Sequence, residues 1–247
     1  MKKGQVTFYI LLAILVVLMV GIVAYLKEVY TSKQTEVTST ILDQQQLATL
    51  RQIVNACVQT TLEDAVRIIG LQGGYVVPPQ LSLPTSFSTI AFWIYNGKDY
   101  APSLKVIEDN IASYLETGVS LCANFDLLPG IIITFQKSTA KVTSDDAYIT
   151  ATVIPFLTVK KENQESTLKN PITKKIKVPL HKIYTAAHAI ATNEMKKAGS
   201  IDISAVLNQP YEILILPHED TTRIYSIIDK ETKIGDTPYA FIFAYKE

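Results

Sequence analysis

The chain has 247 residues, and its 23 Lys and Arg residues balance 23 Asp and Glu residues, so the formal charge is zero. A neutral balance argues against a nucleic-acid-binding protein, which would carry a basic surplus. The hydrophobic content of 48% argues against a disordered chain.

The N-terminal region contains an uncharged apolar stretch over residues 6–26. About twenty helical residues, each rising 1.5 Å, span the hydrocarbon layer of a bilayer. Tyr9 and Tyr25 lie near the two ends, where interfacial aromatic residues are expected. The stretch therefore predicts a transmembrane helix, and Lys2 and Lys3 predict a cytoplasmic N-terminus with the rest of the chain exported. A cleaved secretory leader is the alternative, but its apolar core would be shorter and a small-residue cleavage site would follow.

The residues KKGQ directly before this stretch resemble the class III leader of archaeal type IV pilins and archaellins. The resemblance covers about the first 26 residues, and the remainder is similar to pilin-like single-pass surface proteins of small-genome archaea. It implies cleavage between Gly4 and Gln5, with residues 1–4 as the leader and the apolar helix retained as an anchor or filament core. Many such pilins carry glutamate at the fifth mature position, where this chain has Tyr9. A simple signal anchor is the other interpretation.

Three segments follow from this division of the chain. Residues 5–26 are the predicted transmembrane helix, and the polar, Thr- and Gln-rich residues 27–46 are a helical stalk or a linker. Residues 47–247 are an exported domain. Its first helix is indicated by apolar residues spaced three and four apart from Leu47 onward. Gly70 is predicted to end that helix in a left-handed cap.

The next elements are read from turn chemistry and periodicity. The three prolines in YVVPPQLSLPTS predict an extended loop. The run IAFWIYNGKDY predicts a strand, a tight turn at Asn96-Gly97 and a short return strand. Pro102 is predicted to open a second helix, which reaches Cys122.

The second half of the chain is predicted to contain strands before and after one helix. An apolar run over 131–135 and an alternating run over 148–159 predict an antiparallel pair or meander, with SDDA as its turn. Pro155 indicates an edge position or a bulge. A helix is predicted after Pro179, and three strands close the chain. The fold prediction is α+β, with helices packed on an antiparallel sheet of five to seven strands.

Cys57 and Cys122 are the only two cysteines. In an exported protein, paired cysteines usually form a disulfide, so we expect one here. Two buried free thiols are the alternative. Zinc binding or a catalytic cysteine is not indicated, because neither cysteine has the necessary ligand spacing or a neighbouring basic group.

Other chemistry-bearing residues give weaker signals. His181 and His188 are seven residues apart, too far for one metal site on a helix. His218 lies with Glu219 and Asp220 in a predicted solvated turn. A second acidic pair, Asp145 and Asp146, is predicted to lie in a turn. A lysine cluster is predicted to lie on a solvated strand face and consists of Lys169, Lys174, Lys175 and Lys177.

These observations predict no catalytic residues, no cofactor and no bound metal. The predicted function is that of a membrane-anchored surface or envelope protein, structural or interacting, with a pilin-like role suggested by the resemblance. Its partners would be the membrane, through residues 6–26, and a second copy or another surface protein. A tethered extracellular binding module for a protein or glycan is the alternative, and a surface hydrolase ranks last.

Overall fold

The computed structural model describes residues 42–123, 125, 128, 130–196, 206, 207, 209–219 and 221–247. The predicted leader with its Gly4–Gln5 cleavage site, the transmembrane helix, nearly all of the stalk and Asp220 lie outside these residues. Within them, the fold is α+β, as predicted. No helix in this described part is long and apolar enough to cross a bilayer.

Three helices and twelve strands make up the described part of the chain. The helices are α1 (Gln44–Leu71), α2 (Leu104–Cys122) and α3 (Leu180–Lys196). The strands are β1 (Ser82–Pro84), β2 (Thr89–Tyr95), β3 (Lys98–Asp99), β4 (Ile132–Phe135), β5 (Thr139–Ser144), β6 (Ile149–Ile154), β7 (Leu157–Lys161), β8 (Gln164–Leu168), β9 (Ile172–Ile176), β10 (Glu212–Pro217), β11 (Thr222–Ile234) and β12 (Thr237–Lys246).

Helix α1 begins with a capping box. The Asp43 side chain accepts a hydrogen bond from the Gln46 backbone N–H at 2.7 Å, and the Gln46 side chain accepts one from the Asp43 backbone N–H at 3.2 Å. This reciprocal pair satisfies two backbone donors that a helix start leaves unpaired. The helix therefore takes up Gln44–Gln46, which the sequence pattern assigned to the stalk.

The end of α1 differs from the prediction. Gly70 lies inside the helix, and the left-handed residues are Gly73 and Gly74, with φ of 69° and 96°. A Cβ on Gly70 would lie 2.4 Å from the carbonyl oxygen of Ala240. Gly70 is therefore required by the close approach of α1 to β12, and the prediction of Gly70 as the cap is wrong.

The larger sheet has the strand order β1-β2-β12-β11-β10, with β3 paired to β2. The β2–β3 hairpin turns at Asn96-Gly97, as predicted, and both turn residues have positive φ. Strand β12 pairs with β2 in parallel, whereas the other neighbours are antiparallel. The prediction of a wholly antiparallel sheet is therefore wrong at this pair, because β2 and β12 come from distant parts of the chain.

Strands β4–β9 form two three-stranded antiparallel sheets, β4-β7-β8 and β5-β6-β9. The two continue each other end to end and together make a meander of three strands, each interrupted at about the same level. The breaks are 136–138, Pro155-Phe156 and 169–171. The second and third strands keep one register across the break, with Val153 opposite Ile172 and Leu157 opposite Leu168. Pro155 thus interrupts the central strand, as a bulge would, and does not mark an edge.

Helix α2 covers the free edge of β5 in this meander. Glu108 accepts hydrogen bonds from the backbone N–H and the hydroxyl of Ser144, and Glu116 accepts one from the Ala140 N–H. Edge strands with unpaired backbone groups invite association with other chains, so this side-chain pairing protects β5. The helix starts at the N-cap Ser103, one residue after Pro102.

Aromatic rings join the larger sheet to the helices. Trp93 stacks on Phe243 with ring centroids 4.8 Å apart, and Phe243 stacks on Tyr225 at 5.1 Å. The Trp93 indole N–H donates to the Gly73 carbonyl at 2.9 Å, which ties β2 to the turn after α1. Tyr184 of α3 lies 5.9 Å from the Trp93 ring, so the core continues into that helix.

Candidate functional site

The disulfide predicted between Cys57 and Cys122 is present, with the two Cα atoms 5.6 Å apart. It joins α1 to the last residue of α2. One turn along each helix, Thr61 of α1 meets Gly118 of α2, where a Cβ would lie 2.6 Å from the threonine methyl carbon. The two helices therefore run antiparallel and in close contact beside the disulfide.

The three histidines lie in three separate environments. His181 is in the first turn of α3, and its Nδ1 lies 2.7 Å from Asp146 Oδ1. His188 lies on the same helix with its ring 5.8 Å from that of Tyr184. His218 is exposed after β10, and its backbone N–H donates to Thr222.

The paired carboxylates of the β5–β6 turn have different roles. Asp145 accepts backbone hydrogen bonds from Ala147 and Tyr148, both at 2.7 Å, and these bonds lower the pKa of its carboxyl group. Asp146 points instead to His181. The sequence placed both acids in a turn, but the contact with α3 depends on the fold.

The lysine cluster does not converge on a pocket. Lys169, Lys175 and Lys177 are exposed, and only Lys174 is partly buried beside Ile172 and Ile176. Lys169 lies over the ring of Phe156, with its ammonium 4.9 Å from the ring centroid. This arrangement agrees with the prediction of a solvated strand face.

A cavity of about 310 Å³ lies between the first turns of α1 and the breaks in the meander. Its apolar wall comes from α1 and from the strands on either side of the breaks. The apolar lining residues are Leu47, Leu50, Val54, Pro155, Leu157, Leu168, Pro171 and Ile172. Arg51, Asn55 and Asn170 supply polar groups, but no two charged side chains face each other there.

A second region, which we call the Tyr211 cleft, consists of two cavities of about 420 and 380 Å³ that share Lys182, Pro210 and Tyr211. The first cavity is bounded by Asp146 and His181, which join the β5–β6 turn to α3. The second is bounded by β10 and β11, including Asp229. The cleft thus collects side chains that are far apart in the sequence.

Asp229 is the most buried charged group lining the cleft, with 8% of its surface exposed. Its Oδ1 accepts a hydrogen bond from the backbone N–H of Glu231 at 3.0 Å. The other oxygen has no hydrogen-bond donor among the described residues. This second oxygen is not among the buried polar atoms that lack a partner, so it is accessible from the cavity and can accept a hydrogen bond there.

Tyr211 lines both cavities of the cleft and is influenced by the charges of two acids. Partial burial raises the pKa of its phenol, and the negative charges of Asp229 and Asp146 raise it further. The phenol is therefore kept protonated, so it can donate a hydrogen bond. Lys182 supplies a cationic donor to both cavities.

The side chains of His181 and Asp146, which line the first cavity, are joined by a hydrogen bond. The hydroxyl of Thr185, which also lines the cleft, donates to the His181 backbone carbonyl at 2.8 Å. Within the described part of the chain, no group of three or more His, Cys, Asp or Glu residues is arranged to hold a metal ion. The sequence analysis considered His181 and Asp146 but missed Lys182, Tyr211 and Asp229, because no local motif connects them.

Comparisons with protein-family models, with curated proteins and with solved structures find no match to this chain. The described part of the chain is an α+β domain, cross-linked by one disulfide, with a cleft lined by groups of both charges. Any function must be argued from its own residues.

Proposed function

We propose that this chain is a membrane-anchored protein of the cell envelope whose folded domain lies outside the membrane and acts through contact with other molecules. The observation that carries the proposal is the Cys57–Cys122 disulfide. Disulfides persist in oxidising compartments and are rare in reducing ones, so the bond supports export of the domain.

The apolar residues 6–26 supply the anchor in this proposal. Their length matches the bilayer core, and the lysines before them favour a cytoplasmic N-terminus. The described domain would then stand on the far side of the membrane from those lysines. The KKGQ resemblance supports a pilin-like form of the same function, in which the mature chain starts at Gln5 and assembles through the apolar helix.

The test combines protease shaving of intact cells with mass mapping of the N-terminus. We expect external protease to digest the domain, and alkylation without a reductant to leave Cys57 and Cys122 unmodified. A pilin-like chain would begin at Gln5 and sediment with filaments. A simple anchor would retain Met1 and fractionate as membrane-bound protein.

Protection of the domain from external protease, with free thiols at both cysteines, would overturn the proposal. Permeabilised cells serve as the control, since the protease must then digest the domain in either case. A Lys2→Glu, Lys3→Glu variant provides a second check, because removing both positive charges weakens the orientation signal. The exported fraction should fall in that variant.

A tethered binding module is the second candidate, and the Tyr211 cleft favours it. The cleft combines acceptor, donor and apolar groups within cavities of ligand-binding size. Binding and anchoring are compatible, since a surface protein that acts by contact needs a recognition site.

A further inference from the structure

We propose that the Tyr211 cleft binds an uncharged sugar ring of a glycan, with Asp229 accepting hydrogen bonds from its hydroxyl groups. This inference rests on the binding function proposed above for the cleft. It does not depend on the membrane anchor or on the leader.

Asp229 offers an acceptor to the cleft. The residue is 8% exposed and lines the 380 Å³ cavity. Only one of its two carboxylate oxygens receives a hydrogen bond from the described residues, from Glu231 N–H. A ligand hydroxyl is a donor that would complete the set without adding a charge.

An apolar surface lies in the same cleft as the Asp229 carboxylate. Tyr211 is only partly buried and lines both cavities together with Pro210, while Pro179 and Ile228 add to the wall of the second cavity. A sugar ring has hydroxyl groups around its rim and C–H groups on its faces. An aromatic ring next to a hydrogen-bond acceptor complements both parts of such a molecule.

The charged groups of the cleft are of both signs. Lys182 lines both cavities, and Glu212, Asp229, Lys230 and Glu231 line the second. Glu231 is exposed, so solvent screens its charge. At the far wall, Lys230 pairs with Glu212 at 2.8 Å, which neutralises that acid. In the first cavity, Asp146 is already hydrogen-bonded to His181. The cleft thus offers both donors and acceptors, and the hydroxyl groups of a neutral ligand can use both.

The size of the cleft agrees with this ligand. Each cavity, at about 420 and 380 Å³, lies at the lower end of the range for small-molecule sites. Because the two share Lys182, Pro210 and Tyr211, one sugar unit in each would contact the same central side chains. We expect a disaccharide to bind more tightly than a monosaccharide.

The test is saturation-transfer NMR on the full chain in phosphocholine nanodiscs, because glucoside and maltoside detergents would themselves compete. The probes are glucose, galactose, mannose, N-acetylglucosamine and the β-1,4 disaccharides of glucose and of N-acetylglucosamine. Each is used at about 10 mM, which detects a millimolar Kd. A lysine-rich peptide serves as the cationic probe.

Three variants test the roles of the side chains. Asp229→Asn preserves the shape and the acceptor for Glu231 N–H but removes the charged acceptor, so affinity should fall about tenfold. Tyr211→Ala should abolish binding, whereas Tyr211→Phe retains the ring and should lose less. Asp236→Asn, an equivalent change at an exposed turn outside the cleft, should bind like the wild type.

The possible results distinguish sugar binding by the cleft from a more general binding function of the cleft. Saturation transfer to at least one sugar, weakened in Asp229→Asn and unchanged in Asp236→Asn, supports the sugar site. Binding of the lysine-rich peptide alone overturns the sugar assignment but leaves a binding function for the cleft. No transfer to any probe overturns both, and equal affinity in Asp229→Asn and wild type removes the role assigned to Asp229.

Discussion

Tyr239 is a buried side chain at the close contact between helix α1 and strand β12. It is buried on β12, and its hydroxyl has no hydrogen-bond partner among the residues that the structure describes. The hydroxyl lies 3.2 Å from the place where a Cβ on Gly70 would stand. Helix α1 therefore approaches β12 so closely that the tyrosine cannot reach water or a backbone acceptor.

We predict that Tyr239→Phe stabilises the protein. Removing an unpaired buried hydroxyl recovers its desolvation cost, on the order of 1 kcal/mol. In a domain of this size, that gain should raise Tm by about 3 °C in calorimetry at pH 7. The exposed Tyr148 provides the matched control, and Tyr148→Phe should leave Tm unchanged. A lower Tm for Tyr239→Phe would show that the hydroxyl has a partner in solution.

The same variant has a defined pH dependence. Burial raises the pKa of Tyr239 above its unfolded value of about 10. The neutral phenol therefore contributes stability that is fully present below pH 10 and is lost as the pH rises through the folded pKa. The stability advantage of Tyr239→Phe should grow above pH 10, as measured by urea unfolding. A constant advantage up to strongly alkaline pH would contradict this.

At the scale of elements, the packing of α1 on α2 depends on a glycine. Gly118 faces Thr61, and a Cβ at that position would come within 2.6 Å of the threonine Cγ2. Thr61 is buried and β-branched, so its methyl group has little freedom to move away. The sequence around Gly118 does not indicate this contact, because its partner lies in a different helix.

We predict that Gly118→Ala destabilises the protein and that Thr61→Ser relieves the effect. Overpacking should cost about 2 kcal/mol, more than the roughly 1 kcal/mol that alanine gains over glycine in a helix. Without the threonine methyl, alanine should be tolerated. A double-mutant cycle by chemical unfolding measures the coupling, and additive effects of the two changes would contradict the contact.

The elements themselves were largely predictable from the sequence. Periodic apolar residues predicted α1, and the alternating run over 148–159 predicted strands that the structure shows as β6 and β7, each buried on one face. The break at Pro155 was anticipated as a bulge, but not the matching breaks in the neighbouring strands. The hydrogen bonds from the edge of β5 to Glu108 and Glu116 were not predicted either. Glutamates on a helix surface do not indicate in the sequence which strand they will contact.

At the scale of the whole molecule, α1 holds the two sheets together. Its end packs on β12 through Gly70, whereas its start faces the meander across the 310 Å³ cavity. Helix α3 is attached to the larger sheet by an ion pair between Glu194, which is 1% exposed, and Arg223, at 2.9 Å. The Cys57–Cys122 bond then links α1 to α2, which packs on the meander edge.

We predict that Cys57→Ser with Cys122→Ser lowers the free energy of unfolding by about 4 kcal/mol, because the bond closes a long loop. Tm should fall by on the order of 10 °C relative to the oxidised wild type. Calorimetry of the wild type with and without reductant is the control, since the reduced wild type should resemble the double variant. Equal Tm values in all three samples would show that the bond does not constrain the unfolded chain.

The sequence by itself determined the α+β class, the positions of most elements and the pairing of its only two cysteines. The fold class and the element positions depend on local periodicity and on turn residues. The cysteine pairing follows because each cysteine has only one other cysteine to pair with. The tertiary structure alone decided the parallel β2–β12 pair, the role of Gly70 and the meeting of Lys182, Tyr211 and Asp229. Those features arise where segments distant in the chain come together, and contacts of that kind leave no pattern in neighbouring residues.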